Sequence, residues 1–561
     1  MIIPLNQVSD FYNEIKEAGI SGGCTIQIFV SGDCDAIAAC KILTALLHSD
    51  ALQYKVTPVS NYTDLNTQIT NALETSDFKS FVFLNCGSNV DLSYLAESGI
   101  ISYLIDSQKP VVPENLRSQF VKVIDEEVFE LDEEIENSDE EPEPGQKRSR
   151  VSQGGPRKRV KRDPTGVYFS ESTAGVLYSV ANSMNRNSNE MLWTWIVGLT
   201  AQFLERKIDK SSFEQKLNEC LAEVLRLNEF PYPHNTAEFD ENEGVSLDSE
   251  QKSPGNIHIE HKDFGFMLYR HWSLYESLYY SNYIACKLAV WREPGKRRLN
   301  EMLAKAGIPL KECKQQFRYM NPVYKKILKE KLSEIATEFE MGDMFVSTCV
   351  RQYTRKRQFS ALDVVHSVTA LLECPHSLEE KEIGASQETL DFHQTWLNNF
   401  WIANSALIEV ESLEKGIQLA IEQQKAIIQQ GTILIEKKAV NPSADFRYAI
   451  ISSDILDQVK FFHHPISLKK LCSFIMEAYQ SQRSNIRAKP MVLCVYNSQR
   501  NTYLVTGVNS QVQQRNDFGW RFHEAAEAVQ AEFRTDFFED VYIELKKPNF
   551  QAFIEHLTGS F

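Results

Sequence analysis

The chain has 561 residues, 43% of them hydrophobic, which is enough for about three or four domains with proper cores. Its net charge of −17 excludes a protein that wraps duplex nucleic acid with a general basic surface, so we expect any contact with nucleic acid to be local. No apolar run reaches the roughly 18 to 20 residues of a membrane-spanning helix, and the N-terminus lacks the layout of a secretory signal, so we expect an intracellular protein with no membrane partner. Eleven dispersed cysteines without a C-x-x-C pair favour reduced thiols over disulfides or a zinc site.

The first 227 residues alternate strand and helix patterns, and this alternation predicts an α/β domain with a doubly wound parallel sheet. The predicted strands cover residues 25–30, 54–59, 80–86, 101–105 and 120–124. The predicted helices cover residues 7–18, 35–47, 65–73, 172–184, 191–199 and 213–227.

A charged segment, residues 125–164, interrupts this domain. Residues 125–143 contain twelve acidic residues and no basic one, and residues 147–162 contain eight basic residues and no acidic one. Blocks of like charge cannot bury a core, so we predict a disordered insertion whose acidic residues beside Ser138 suit an acid-directed kinase. The basic block predicts a two-part nuclear import signal and a nuclear protein, the alternative being a solvated linker whose opposite charges pair loosely. The signal consists of Lys147, Arg148, Arg150, Arg157, Lys158, Arg159, Lys161 and Arg162.

The remaining sequence divides into four parts. Residues 228–256 are rich in Pro, Asn, Glu and Gly and predict a linker, and residues 257–389 predict an all-helical insert with at most one strand, at 257–261. Residues 390–429 predict one long connecting helix. Residues 430–561 predict a small C-terminal α/β domain whose strands cover 433–435, 446–452, 491–496, 502–506 and 541–545.

The insert contains a short basic run and one histidine of interest. The run consists of Arg351, Arg355, Lys356 and Arg357, and it predicts either a contact with phosphate or an acidic partner, or a solvated face. His271 has no further metal-ligand residue three or four positions away, so we expect it to be packed or capping rather than ligating.

Polar residues follow three of the predicted strands, where the loops of an open α/β sheet bind ligands. Asp33 and Asp35 follow the first strand, Asn85 follows another, and Asp106, Ser107 and Gln108 follow a third. Two aspartates at this spacing suit a hard cation, but an aspartate that caps the following helix is the simpler interpretation. No phosphate-binding G-x-x-x-x-G-K-[ST], G-x-G-x-x-G or G-x-S-x-G motif accompanies them.

This arrangement resembles the DHH phosphoesterase superfamily, which includes the RecJ single-strand exonucleases. Asp33 and Asp35 match the aspartates of the first motif, and Asn85 stands where the second motif has a metal-bridging aspartate. Residues 106–108 match the Asp-His-His that names the superfamily, with Ser107 and Gln108 in place of the histidines. Residues 198–202 match the fourth motif, whose aspartate falls near Ala201.

A closer resemblance is to the cell-division-cycle forty-five family of eukaryotic replication proteins, which belong to the CMG helicase. It is carried by Gly32-Asp33-Cys34-Asp35-Ala36-Ile37, Asn85-Cys86-Gly87-Ser88-Asn89, Trp195-Ile196-Val197-Gly198-Leu199-Thr200, His271-Trp272-Ser273-Leu274 and Gly307-Ile308-Pro309-Leu310, together with the acidic-then-basic insertion. The resemblance covers nearly the whole chain.

The resemblance implies a non-catalytic scaffold with no metal and no cofactor. Its implied partners are the MCM ring and the GINS complex, then the replicative polymerase and helicase-loading factors, with weak or local contact with single-stranded DNA. An amide at Asn85 and neutral side chains at Ser107 and Gln108 are poor replacements for anionic and imidazole ligands. The alternative function is a metal-dependent single-strand exonuclease of RecJ type, which would use Asp33, Asp35 and Asp106 with one cation.

Overall fold

The computed structural model describes residues 2–20, 25–75, 78–125, 166–229, 255–342, 344–375, 392–452, 457–481, 488–512 and 514–559. Residues 126–164 of the predicted disordered insertion, its import signal, most of the linker and residues 376–391 lie outside these ranges. Asp125, predicted as the first residue of the insertion, is instead buried at the end of a strand. No helix within them is long and apolar enough to cross a bilayer. The ten cysteines that they contain are free and buried, as predicted for reduced thiols.

The N-terminal domain is built on a six-stranded parallel sheet, which confirms the predicted fold class. Its strands are β1 (Ile2–Pro4), β2 (Ile26–Ser31), β3 (Tyr54–Val59), β4 (Ser80–Leu84), β5 (Ile101–Ile105) and β7 (Val121–Asp125), in the spatial order β1-β7-β5-β4-β2-β3. The short β6 (Gln108–Lys109) and β8 (Tyr168–Phe169) form a separate antiparallel pair.

Helices cover both faces of this sheet because successive side chains of each strand point to opposite faces. Ile26, Ile28 and Val30 of β2 join one apolar core, and Phe29 joins the core on the other face. The helices are α1 (Val8–Ile20), α2 (Cys34–Ser49), α3 (Tyr62–Thr75), α4 (Pro113–Arg117), α5 (Thr173–Ser183), α6 (Asn189–Leu204) and α7 (Lys210–Glu229).

The insert is not all helical, so that prediction was wrong. Strands β9 (Ile257–Phe264), β10 (Phe345–Thr354) and β11 (Arg357–Ser360) form an antiparallel sheet in the order β11-β10-β9. Polar residues of β10, including Thr348 and Gln352, are buried, so this strand lacks the apolar alternation that predicts a strand. Its pairing with β9, which lies far away in sequence, has no local signal, although its other partner β11 follows after a short turn.

The rest of the described insert is largely helical, as predicted. Its helices are α8 (Leu274–Tyr280), α9 (Asn282–Leu288), α10 (Glu293–Lys305), α11 (Leu310–Lys314), α12 (Pro322–Ala336) and α13 (Ala361–Leu372).

The predicted long connecting helix is two helices, α14 (Phe392–Ala406) and α15 (Val410–Glu436). The second helix continues through residues 433–435, where a strand was predicted. Leu434 and Ile435 lie seven positions after Ile427 and Ile428, and all four are buried in one core. This spacing returns to the same helix face after two turns, so these apolar residues extend α15.

The C-terminal domain contains a six-stranded sheet in the order β12-β13-β14-β15-β17-β16. Its strands are β12 (Asn441–Pro442), β13 (Arg447–Ile451), β14 (Met491–Asn497), β15 (Thr502–Val508), β16 (Phe533–Arg534) and β17 (Tyr542–Lys546). Helices α17 (Phe518–Ala528) and α18 (Lys547–Gly559) enclose a core of their own on one face. Helix α16 (Pro465–Ser481) packs into a different apolar core, which the C-terminal domain shares with the insert and with α15.

Candidate functional site

The turn between β2 and α2 places Asp33 at the start of the helix. Asp33 is the N-cap of α2, and its Oδ1 accepts a hydrogen bond from the Ala36 backbone N–H at 2.9 Å. Its other oxygen accepts from the Ser31 hydroxyl. The capping interpretation of this aspartate is therefore confirmed.

Asp35 lies in the first turn of the same helix but caps a different one. Its Oδ2 accepts a hydrogen bond from Thr173 N–H at 2.8 Å, and its Oδ1 accepts from Ala174 N–H at 3.1 Å. These are the first two residues of α5, whose N-terminus favours a negative charge. The Asp35 side chain is only 2% exposed, and burial followed by repulsion from Asp33 raises its pKa to about 7.

Asn85 follows β4 with a positive φ of 54° and lies between these aspartates. Its amide nitrogen is 3.2 Å from Asp33 Oδ1 and 3.4 Å from Asp35 Oδ2. Its carbonyl oxygen accepts hydrogen bonds from the Thr173 hydroxyl at 2.5 Å and from Ser107 N–H at 3.0 Å. The side chain thus connects the ends of β2, β4 and β5 to α5.

Asp106 and Gln108 are buried nearby but do not join this network. Asp106 Oδ2 accepts hydrogen bonds from Gly87 and Ser88 N–H at 3.2 and 3.1 Å, and its Oδ1 accepts from Gln108 N–H at 2.9 Å. Among the described residues, nothing hydrogen-bonds the side-chain amide of Gln108. Of the six predicted positions, the structure therefore brings four together in one hydrogen-bond network, namely Asp33, Asp35, Asn85 and Ser107.

Two further residues, Gly198 and Trp396, close the site, and neither role was predicted from the sequence. A Cβ on Gly198 of α6 would lie 2.5 Å from Asp35 Oδ1, so α6 approaches Asp35 with its backbone, three positions before the Ala201 that the fourth motif indicated. A Cβ on Gly32 would lie 2.8 Å from the Trp396 indole, so α14 covers the turn that carries Asp33. Trp396 has no local signal, because it comes from a distant part of the chain.

A buried lysine supplies positive charge beside this site. Lys207 Nζ lies 2.9 Å from Glu205 Oε2 and 2.9 Å from Glu539 Oε1, the latter in the C-terminal domain. Burial disfavours the ammonium ion, but Glu205, Glu539 and Asp33 outweigh that penalty and raise the pKa of Lys207. Lys207 also lowers the pKa of Asp35, against the larger effect of burial. The ammonium ion therefore compensates carboxylates of both domains.

The donor set does not suit a divalent metal ion. The N–H groups of Asn85 face the carboxylate oxygens that a cation would need, and Ser107 contributes only a neutral hydroxyl. Within the described ranges, no group of three His, Cys, Asp or Glu side chains is arranged to hold a metal.

The basic run of the insert is not one surface. Arg351 is 8% exposed and lies 3.5 Å from Glu190, and Arg357 pairs with Glu414 at 2.6 Å. Of these four residues, only Arg355 and Lys356, in the turn between β10 and β11, are exposed. His271 stacks on Phe359 and lies 3.4 Å from Asp363, as expected of a packed residue.

Comparison with known proteins agrees with the closer resemblance found in the sequence. The model of the CDC45 family matches residues 26–163 and 145–560. A "Cell division control protein 45 homolog" from Schizosaccharomyces pombe is 33% identical over 100% of this chain and 99% of its own. The crystal structure of CDC45 from Entamoeba histolytica has a TM-score of 0.73 and 22% identity, covering 100% of this chain and 99% of that one.

A manganese-bound exonuclease RecJ has a TM-score of 0.45 and 11% identity, over 100% of this chain and 95% of that one. The match of residues 26–560 to the family model and the 33% identity with the fission-yeast relative confirm the predicted family. The chain belongs to the CDC45 family, whose relatives are named as cell division control proteins.

Proposed function

We propose that this chain, a member of a family of DNA replication initiation factors, is a non-catalytic scaffold subunit of the eukaryotic replicative helicase. In this role it joins the GINS complex to the MCM ring, with the replicative polymerase and helicase-loading factors as further partners. The observation that carries the proposal is the Asn85 amide between Asp33 and Asp35.

The hydrogen bonds of this amide support a structural role for the pocket. A two-metal phosphoesterase needs several anionic or imidazole ligands that converge on its cations. Here the oxygens of Asp33 and Asp35 accept hydrogen bonds from backbone N–H groups and from Asn85. Lys207, which pairs with Glu205 and Glu539, adds positive charge that lowers the pKa of Asp35.

The charge of the chain supports protein partners. A net charge of −17 opposes tight non-specific binding to a polyanion and is compatible with docking on a complementary protein surface. We therefore expect single-stranded DNA to bind weakly and locally. Because few phosphates would be contacted, this binding should depend only weakly on salt, whereas a steep dependence would favour a plain single-strand DNA binder.

Two assays on the purified full-length protein test the proposal against the exonuclease alternative. The first measures capture of purified GINS and of the purified MCM ring, and we expect both to be captured. The second measures degradation of a labelled single-stranded oligonucleotide in the presence of Mn²⁺, and we expect none. Degradation that disappears in Asp33→Ala and in Asp106→Ala would overturn the scaffold proposal and support a metal-dependent nuclease.

We also propose that the chain acts in the nucleus and that residues 147–162 direct its import. The support is the charge pattern of that segment, eight basic residues without an acidic one. Removal of this segment should leave the protein cytoplasmic. A deletion variant that still enters the nucleus without a bound partner would contradict the proposal.

A further inference from the structure

Helices α10 to α12 of the insert carry a charge opposite to that of the whole chain. Residues 293–336, which span these helices, contain eleven basic and five acidic residues, a local net charge of +6 in a chain of net charge −17. Neither solubility nor uniform charge repulsion explains why an acidic protein concentrates positive charge in these three helices. The distribution instead indicates a surface that meets negative charge.

Some of these cations are neutralised within the protein, and others are not. Lys305, Lys329 and Lys331 pair with Glu338, Glu260 and Glu334, respectively. By contrast, no carboxylate in the described part of the chain pairs with Lys311, Arg318 or Lys326, all of which are exposed.

Exposed apolar side chains occur in the same segment as these cations, and the Arg318 guanidinium lies 5.0 Å from the centroid of the Tyr319 ring. Tyr319 is 67% exposed, Val323 is 63% exposed and Leu310 is 40% exposed. We call these three residues, together with Lys311, Arg318 and Lys326, the α11–α12 surface. Large apolar side chains that stay in water within a polar rim are typical of an interaction site.

Two hydrogen bonds hold the α11–α12 surface in place. Glu312 Oε2 accepts a hydrogen bond from Asn321 N–H at 3.1 Å, which fixes the end of α11 against the start of α12. Phe317 N–H donates to the Trp272 carbonyl at 2.8 Å and ties the connection to the body of the insert. The surface is therefore formed before a partner arrives, which lowers the entropic cost of binding.

We propose that the α11–α12 surface binds an acidic segment of a partner protein that carries aliphatic or aromatic anchor residues. The three cations would pair with its carboxylates, and Leu310, Tyr319 and Val323 would pack against its apolar side chains. Two of these three apolar residues are aliphatic, whereas a platform for single-stranded nucleic acid needs aromatic faces for successive bases. The observations therefore favour protein over nucleic acid. This inference rests on the proposed scaffold function and assigns one of its partner contacts.

The test uses the full-length protein and a fluorescein-labelled synthetic peptide that alternates glutamates with leucine and phenylalanine. The charge variant is Lys311→Glu/Arg318→Glu/Lys326→Glu, and the apolar variant is Tyr319→Ala/Val323→Ser. We expect each to weaken peptide binding by about tenfold or more. The matched control, Arg355→Glu/Lys356→Glu, changes exposed cations elsewhere on the insert and should leave peptide binding unchanged. All these positions are exposed, and an unchanged melting temperature would show that each variant is folded.

The outcomes separate this inference from the scaffold proposal. Wild-type protein that captures neither GINS nor the MCM ring would contradict the scaffold function itself. Wild-type protein that captures them, while the charge and apolar variants bind both complexes and the peptide equally well, would overturn only the α11–α12 surface. A parallel assay measures binding of oligo(dT). If the wild type binds oligo(dT) but not the peptide, and the charge variant loses the oligo(dT) binding, the α11–α12 surface binds nucleic acid and the inference is overturned.

Discussion

Asp35 in α2 and Thr173 in α5 are 138 positions apart, yet Asp35 Oδ2 accepts a hydrogen bond from Thr173 N–H at 2.8 Å. Asp35 Oδ1 accepts from the next N–H, that of Ala174. The first N–H groups of a helix have no partner within it, so this carboxylate satisfies two of them. Asp35 thereby connects two helices that pack on the same face of the sheet.

The stability contributed by Asp35 should depend on pH. Its pKa in the folded protein is raised to about 7 by burial and then by Asp33, so folding favours the protonated form of this carboxyl group. A carboxyl group of this kind stabilises the fold fully below its unfolded pKa and loses that contribution as pH rises through the folded value. The free energy of unfolding of the wild type minus that of Asp35→Asn should therefore fall by about 2 to 4 kcal/mol between about pH 4 and pH 8.

Urea unfolding at a series of pH values measures this difference. Asp50→Asn is the matched control, because hydrogen bonding to Arg186 lowers the pKa of Asp50 in the folded protein. The stability that Asp50 contributes is present above its unfolded pKa and is lost as pH falls. The free energy of unfolding of the wild type minus that of Asp50→Asn should therefore rise with pH. If the difference between the wild type and Asp35→Asn does not change with pH, the prediction is refuted.

Substitution of Lys207 should weaken the contact between the N-terminal and C-terminal domains. Lys207→Met leaves the carboxylates of Glu205 and Glu539 buried without their shared cation, so we expect a loss of about 3 to 5 kcal/mol. Lys469→Met should cost less, because Lys469 contacts only one of these carboxylates. Guanidinium unfolding measures both losses. The double variant Lys207→Met/Glu539→Gln should lose less free energy of unfolding than the two single variants lose together. A loss equal to that sum would show that Lys207 and Glu539 are not coupled.

Gly198 should not tolerate a methyl group. A Cβ there would lie 2.5 Å from Asp35 Oδ1 and 2.8 Å from Ala174 Cβ, so α6 must move or Asp35 must lose its hydrogen bonds. We expect Gly198→Ala to reduce the free energy of unfolding by about 1 to 3 kcal/mol. Gly559→Ala, where a Cβ would meet nothing within 4 Å, should change it by less than about 0.5 kcal/mol. Equal stabilities of the two variants in urea unfolding would contradict this packing.

Asn85→Asp should create sensitivity to divalent cations. The change removes the amide donor and places a third carboxylate beside Asp33 and Asp35, so the variant should melt about 2 to 4 °C below the wild type in EDTA. Mn²⁺ should recover part of this loss by neutralising the three carboxylates. Asn85→Ala should also be destabilised, but Mn²⁺ should not stabilise it. Recovery of both variants to the same extent would show that the effect does not come from the new carboxylate.

Local patterns predicted the N-terminal sheet and the elements around the site. Strand β2 and helix α2 have clear periodicities, and Asp33 stands at a helix start, where a carboxylate can cap. The same reasoning failed for β10, whose buried polar residues carry no alternating pattern. It also failed at residues 433–435, where three apolar residues suit a strand as well as the end of α15.

The sequence by itself determined the fold class, the family and the set of polar residues at the ends of the strands. Only the tertiary structure decided that Asp35 caps α5, that Lys207 pairs with Glu539, and that Trp396 covers the turn at Gly32. The reason is physical. Hydrophobic periodicity and capping depend on residues a few positions apart, whereas the partner of a buried charge is chosen when distant segments pack and every remaining polar group must be satisfied.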